Sequence, residues 1–279
     1  KNCPTSRKMP KKSFRCLKKI NMLIDSHAHL EMKEFDRDRK EVIERASLAG
    51  VGTIITVGTN LSLSRKALAL ARQYENIYAT VGIHPHDAAK TDDETLDELK
   101  MLAQDTKVVA YGEIGLDFFR NISPREKQTA MFARQLEIAA ELNLPVVIHD
   151  RDAHEQTLRM VKASGVRRGV FHCFSGDWGM ARQCIDLGFY ISVPGVVTFE
   201  KSKVLREVVR QAPLDVIMLE TDCPYLTPEP HRGKRNEPSF IVHTARKAAE
   251  IRGMPVEELA AAATANTRRL FGLDTARRK

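Results

Sequence analysis

His27 and His29 sit two residues apart just beyond the apolar run Met22-Leu23-Ile24. On an extended strand such residues face the same way, so two imidazoles can converge on one point, as a metal ion or a pair of buried polar contacts would require. Four more residues of ligand type recur in the same setting. Glu113 follows an apolar run at 108–111, His149 one at 145–148, His172 one at 169–171 and Asp222 one at 216–219. Each alone is explained by a buried polar group satisfying a turn. Six such residues at the carboxyl ends of successive strands point instead to a shared metal site. Four histidines and two carboxylates exceed what one open catalytic ion takes, and suit two neighbouring ions with a carboxylate between them. Such a pair lowers the pKa of a shared water and stabilises the oxygens of a displacement, which is the chemistry of hydrolysis. Imidazole with carboxylate fits zinc, manganese or iron, whereas magnesium prefers oxygen ligands, so the residues leave Zn, Mn, Mg and Fe open.

The elements that must carry these side chains are legible from their punctuation. Strands are expected at 22–24, 53–57, 77–81, 108–111, 145–148, 169–171, 189–193 and 216–219, with helical patterns between them. A helix over about 36–49 stops at Gly50, and another spans about 62–72. Thr91 and Glu94 form a capping-box pattern, and Ser123-Pro124-Arg125-Glu126 reads as cap, proline at the first helical position and acidic third position. Two or three helices close the chain after residue 240. Eight strands alternating with helices predict a (β/α)8 TIM barrel with extra C-terminal helices, in which all six residues share the catalytic rim. A doubly wound open sheet is the rival, but no glycine-rich phosphate fingerprint follows the first strand; His27 and His29 occupy that turn.

Composition restricts the function classes. The formal charge of +8 is carried by residues 1–21, which hold eight basic and no acidic residues, so the body from residue 22 onward is formally neutral. Contact with nucleic acid must then come from a local basic patch. Residues 1–21 read as a basic, disordered leader or appended segment, and residues 22–279 as one hydrolase domain. Apolar runs are too short to span a bilayer, so no membrane is implied. The odd set Cys3, Cys16, Cys173, Cys184 and Cys223 predicts reduced thiols and a cytoplasmic location.

The motifs also carry a resemblance. Asp25-Ser26-His27-Ala28-His29, Gly82-Ile83-His84-Pro85, Gly112-Glu113-Ile114-Gly115-Leu116-Asp117, Ile148-His149-Asp150-Arg151, His172-Cys173-Phe174-Ser175-Gly176, Glu220-Thr221-Asp222-Cys223-Pro224-Tyr225-Leu226 and Pro230-His231-Arg232-Gly233-Lys234 occur in an order that resembles the TatD family of metal-dependent deoxyribonucleases, among the amidohydrolase-like barrels. The resemblance runs from Met22 to about Gly272. It implies a two-metal hydrolase cleaving DNA phosphodiesters from a strand end, on single strands or frayed ends, with no obligate protein partner. It also implies that His27, His29, Glu113 and Asp222 hold one ion and that Glu113, His149 and His172 hold the other. Glu113 would bridge, where many relatives among these barrels carry a carbamylated lysine, and Asp222 would orient the attacking hydroxide and take up its proton.

Around this set, His84 is a candidate for contact with the scissile phosphate, and Arg151 and Arg232 for phosphate contacts. Tyr225, Phe174 and Trp178 are candidates for stacking on bases, although aromatics at a barrel mouth also pack loops. Cys173 and Cys223 read as small buried hydrophobes, and His154 and His243 as structural or exposed. The competing function is an amide or ester hydrolase on the same barrel, for instance an aminoacyl-tRNA deacylase, because fold does not fix substrate. A non-catalytic binding protein would require a broken ligand set, which this sequence does not have.

Overall fold

The computed structural model describes residues 23–274, so the expected leader at 1–21 lies outside the described residues. Eight strands, β1 (Leu23–Ala28), β2 (Val51–Val57), β3 (Ile77–Val81), β4 (Val108–Asp117), β5 (Val146–Arg151), β6 (Gly169–Phe171), β7 (Phe189–Val193) and β8 (Ile217–Leu219), pair in parallel in chain order. The intervening helices are α1 (Arg39–Leu48), α2 (Leu61–Gln73), α3 (Asp93–Leu102), α4 (Arg125–Glu141), α5 (His154–Ser164), α6 (Trp178–Asp186) and α7 (Lys203–Gln211). Two helices, α8 (Ile241–Arg252) and α9 (Val256–Phe271), complete a nearly closed (β/α)8 TIM barrel. Among the described residues no helix is long and apolar enough to cross a membrane.

Strands covered on both faces are mostly apolar, and all ten residues of β4 are buried, Glu113 and Asp117 being its charged members. Inside the barrel Ile55, Val109, Ala110, Val147, Val170 and Met218 form one cluster, against which Leu270 and Phe271 of α9 pack. The larger core lies between the strands and the surrounding helices. Side chains complete the seam between β8 and β1. Ser26 donates to the Leu219 carbonyl at 2.9 Å, and Asp25 accepts from the Thr221 amide at 2.9 Å and hydroxyl at 2.6 Å. Just beyond, the Asp222 amide donates to the His27 carbonyl and the His29 amide to that of Cys223.

Several boundaries differ from those expected. β4 and β5 run on through Glu113 and His149, so these two residues lie within strands and not after them. In β4, Gly112 and Gly115 have φ of 155° and 146° and let the strand approach β5 where the register shifts between Tyr111 and Ile114. A Cβ at Gly115 would lie 1.9 Å from the His149 carbonyl oxygen. Gly115→Ala is therefore expected to destabilise the protein by about 3 kcal/mol or more and to displace the strand that carries His149. Urea denaturation checks this, and an unchanged midpoint would refute the close approach.

The helix starts also shift. Asp92, not Thr91, caps α3 by accepting from the Thr95 amide, while Thr91 donates to the Asp87 carbonyl. α4 begins at Arg125 with Pro124 at the cap position, because the Ser123 hydroxyl is engaged elsewhere: it donates to the His86 carbonyl and accepts from the Ala89 amide. α1 begins at Arg39, preceded by a short 3-10 turn at Lys33–Phe35.

Candidate metal centre

Strand alternation brings the expected residues to one point. His27 and His29 turn their Nε2 atoms to within 3.3 Å of each other. Asp222 Oδ1 lies 3.4 Å from His29 Nε2 and 3.7 Å from His27 Nε2, and Glu113 Oε2 lies 3.9 Å and 3.5 Å from the same two atoms. Donor atoms about 2.0–2.1 Å from a tetrahedral ion are about 3.4 Å apart, so His27, His29 and Asp222 have the spacing of a ligand cage, and Glu113 reaches both of its imidazoles. The other oxygen of Glu113 faces a second group. Oε1 is 2.8 Å from His149 Nδ1, 2.8 Å from His172 Nε2 and 3.5 Å from His84 Nε2, with the first two nitrogens 3.4 Å apart. The 2.8 Å contacts are imidazole-to-carboxylate hydrogen bonds, and a cation in their place would take both imidazoles in neutral form. Glu113 thus stands between two ligand-spaced groups, and its two oxygens divide between them. His27, Glu113 and His172 form a further ligand-spaced trio, as do His84, Glu113 and His149.

The electrostatics show how strongly the pocket favours added positive charge. Burial works against ionising Glu113, yet His172 and His84 with the imidazole hydrogen bonds hold its pKa well below the usual carboxylate range. Asp222 is likewise held down, despite burial, by the His29 hydrogen bond and by His172 and His27. Burial disfavours charge on His172 and His29, but Glu113 and Glu220 raise the first, and Asp222 and Glu31 the second, well above the ordinary imidazole value. His27 is lowered by burial and by His172, and His84 is driven well below its ordinary value by burial. Protons on His29 and His172 balance the carboxylates in the protein alone, and divalent cations suit that role with the imidazoles neutral.

A layer of partners outside the ligand set was not singled out from the sequence. Glu31 Oε1 and the Val57 carbonyl face His29 Nδ1 at 3.3 Å and 3.0 Å. Glu220 lies 3.5 Å from His172 Nδ1 and accepts from the Cys173 amide at 2.7 Å. Asp117 is 3.4 Å from His149 Nε2 and 2.9 Å from His86 Nε2, and Gln128 accepts from its amide. Such partners fix ring orientation and raise ligand basicity. Period two was the available signal: Glu31 continues the series His27, His29, and Asp117 continues Glu113, Gly115 along β4.

The second-tier candidates separate. His84 is inside the cluster, edge-on to His149 with ring centroids 4.5 Å apart. Arg151 ends β5 with its guanidinium 4.0 Å from the Phe119 ring centroid, and exposed Arg232 lies 4.1 Å from that of Phe199. Arg235, from the same basic loop as Arg232, is committed to Asp38 at 2.7 Å and 2.8 Å. Phe174 is buried in the core and Trp178 packs partly against it, whereas Tyr225 is exposed with its ring 6.2 Å from that of His29. Burial pushes the Cys173 and Cys223 thiols well above their ordinary pKa, in keeping with protonated side chains. His154 opens α5 and bonds Asp150 at 2.6 Å, and His243 stacks edge-on to His231, so neither joins the cluster.

Comparison with known proteins agrees with this architecture. Residues 24–272 match the family described as TatD related DNase. The chain is 43% identical over 255 residues to the uncharacterized metal-dependent hydrolase YabD of Bacillus subtilis, covering 91% of this chain and 100% of that protein. It is 39% identical over 259 residues to the 3'-5' ssDNA/RNA exonuclease TatD of Klebsiella pneumoniae, covering 90% and 98%. Among solved structures, the TatD homologue YjjV of Escherichia coli K12 superposes with a TM-score of 0.87 at 35% identity, over 91% of this chain and 99% of that one. A barrel of this topology, with this cluster on its rim and these likenesses along almost its whole described length, belongs to the TatD related DNase family.

Proposed function

We propose that this protein is a metal-dependent phosphodiesterase that shortens single-stranded nucleic acid from its 3' end, with residues 22–279 acting as one hydrolase unit. The observation that carries this reading is Glu113, whose two oxygens each face a separate group of imidazoles. His27, His29, Glu113 and Asp222 would hold one divalent ion, and Glu113, His149 and His172 the other. Ions held by these residues would supply a water of lowered pKa and positive charge for the phosphate oxygens.

The chain's own residues do the rest. Asp222 is the more accessible of the two inner carboxylates, its side chain 13% exposed against 4% for Glu113, which supports it as the group that would take a proton from the attacking water and pass it to solvent. Glu220 and Asp117 face the outer ring nitrogens of His172 and His149 at 3.5 Å and 3.4 Å, and the Asp25–Thr221 pair anchors the backbone that leads into Asp222. His84, 3.5 Å from Glu113, would donate to a phosphate oxygen, and Arg151 and Arg232 would supply charge to the substrate backbone. The name of the Klebsiella relative supports a nucleic-acid substrate and the 3' polarity. Free Cys173, Cys184 and Cys223 accord with a reducing compartment.

The test is digestion of a 5'-labelled single-stranded oligonucleotide by the metal-replete protein. A ladder of 3'-shortened products should appear, vanish on chelation and return with added divalent metal. An intact oligonucleotide alongside efficient hydrolysis of acyl esters would overturn the reading in favour of the amide or ester hydrolase.

A further inference from the structure

The turn that follows β4 exposes an aromatic ring beside the metal centre for which the folded chain has no evident use. Phe119 is 60% exposed and Ile122, three residues on, is 58% exposed. Phe119 and Tyr225 are the aromatics among the large exposed hydrophobic side chains of the described residues, and both follow carboxyl ends of strands, where the cluster lies. The Arg151 guanidinium lies 4.0 Å from the Phe119 ring centroid, and among the described residues it makes no ion pair or hydrogen bond. Position ties this pair to the chemistry. Asp117 registers against Arg151 across β4 and β5, the Phe118 amide donates to the Arg151 carbonyl at 2.9 Å, and Asp117 Oδ2 lies 3.4 Å from His149 Nε2. The ledge therefore begins two residues beyond the groups that face Glu113 on its Oε1 side.

We propose that Phe119, with Arg151 laid against it, is a base-stacking platform that positions the terminal nucleotides of a single strand. An exposed ring face accepts any base by stacking, and a guanidinium beside it offers N–H donors to the adjoining phosphate. A base can lie on the ring only if it has left its own stack and pair. The platform thereby selects single-stranded ends over duplex and tolerates any sequence. Phe119 is in this account a positioning residue. The inference rests on the nucleic-acid reading above and adds to it the residue that sets strand preference.

The experiment compares wild type, Phe119→Ala, Phe119→Tyr and the surface control Leu48→Ala, a residue 87% exposed on α1. Kinetics are measured on a single-stranded oligonucleotide and on the same strand with abasic sites at its two 3'-terminal positions. Stacking worth about 1–3 kcal/mol per base corresponds to roughly a 5- to 150-fold rise in KM for Phe119→Ala, with kcat within about twofold. Phe119→Tyr should restore KM and Leu48→Ala should not change it. On the abasic strand, wild type and Phe119→Ala should have equal KM, a coupling that mere misfolding of the turn would not produce. Equal KM for wild type and Phe119→Ala on the normal strand, or a KM penalty that persists undiminished on the abasic strand, would overturn the platform. A separate readout uses a strand with 2-aminopurine at its 3' end and phosphorothioate linkages: wild type should quench its fluorescence on binding and Phe119→Ala should not. If wild type leaves the normal strand uncut, the nuclease reading falls. The quenching then decides the platform alone, and equal quenching by both proteins overturns it.

Discussion

Asp222→Asn is expected to lower kcat about 1000-fold while the protein keeps its fold, because this carboxylate has a chemical role that its amide isostere cannot fill. Asp222 Oδ1 stands 3.4 Å from His29 Nε2 and 3.7 Å from His27 Nε2, and its pKa is held down so that it is ionised at neutral pH. Asparagine removes the negative charge from the cage and the site that would receive the proton. It preserves the backbone, however. Asp222 has φ of 54°, a left-handed conformation that asparagine tolerates better than most residues, and its amide and carbonyl bond the His27 carbonyl and the Tyr225 amide without using the side chain. Asp222→Ala serves as the contrast: it should be as inactive but less stable by about 1 kcal/mol, since alanine is strained at positive φ. Steady-state rates and thermal unfolding by circular dichroism read both effects. Cleavage by Asp222→Asn at the wild-type rate would exclude Asp222 from the chemistry, and its loss together with the cooperative transition would reduce the residue to a structural one.

Particular residues show what the sequence disclosed and what it withheld. The six inner side chains were legible because each follows a recognisable apolar run, and a parallel barrel must collect such positions on one rim. The extent of β4 was not legible, because Gly112 and Gly115 look like breaks until their close approach to β5 is known. Glu31, Asp117 and Glu220 were missed for another reason. Glu31 and Asp117 continue the period-two series of their strands, but that spacing alone does not tell a ring's partner from a ligand, and for Asp117 and Glu220 the ring concerned, His149 or His172, lies elsewhere in the chain. Long-range pairing likewise decided the basic loop. Arg235 looks like its neighbours Arg232 and Lys234, yet Asp38, 197 positions away at the start of α1, binds it. The helix starts at 91–94 and 123–126 differ because the hydroxyls of Thr91 and Ser123 bond other carbonyls, those of Asp87 and His86, which leaves the cap positions to Asp92 and Pro124.

Glu113→Gln should have the larger effect on metal content. Asp222 belongs to one ligand group, so its amide variant should weaken one ion, whereas Glu113 belongs to both. Its Oε2 is 3.5 Å from His27 Nε2, and its Oε1 is 2.8 Å from both His149 Nδ1 and His172 Nε2. A glutamine fits the same space but turns an NH2 donor toward one group or the other, and it removes the buried negative charge that both share. Loss of a supporting contact alone weakens metal sites about 10- to 100-fold, and loss of a shared anionic ligand should exceed that at each position. Protein purified in limiting metal and analysed by mass spectrometry for bound ions is expected to hold two per chain as wild type, about one as Asp222→Asn and fewer than one as Glu113→Gln, with hydrolysis abolished in the last. The imidazoles supply a second readout. With Glu113 neutral, His172 loses the carboxylate that, with Glu220, raises its pKa, so its titration in the metal-free variant should move toward lower pH when followed by NMR. Wild-type metal content in Glu113→Gln would show that the two imidazole groups do not depend on a shared carboxylate, and the bridging role would then be untenable.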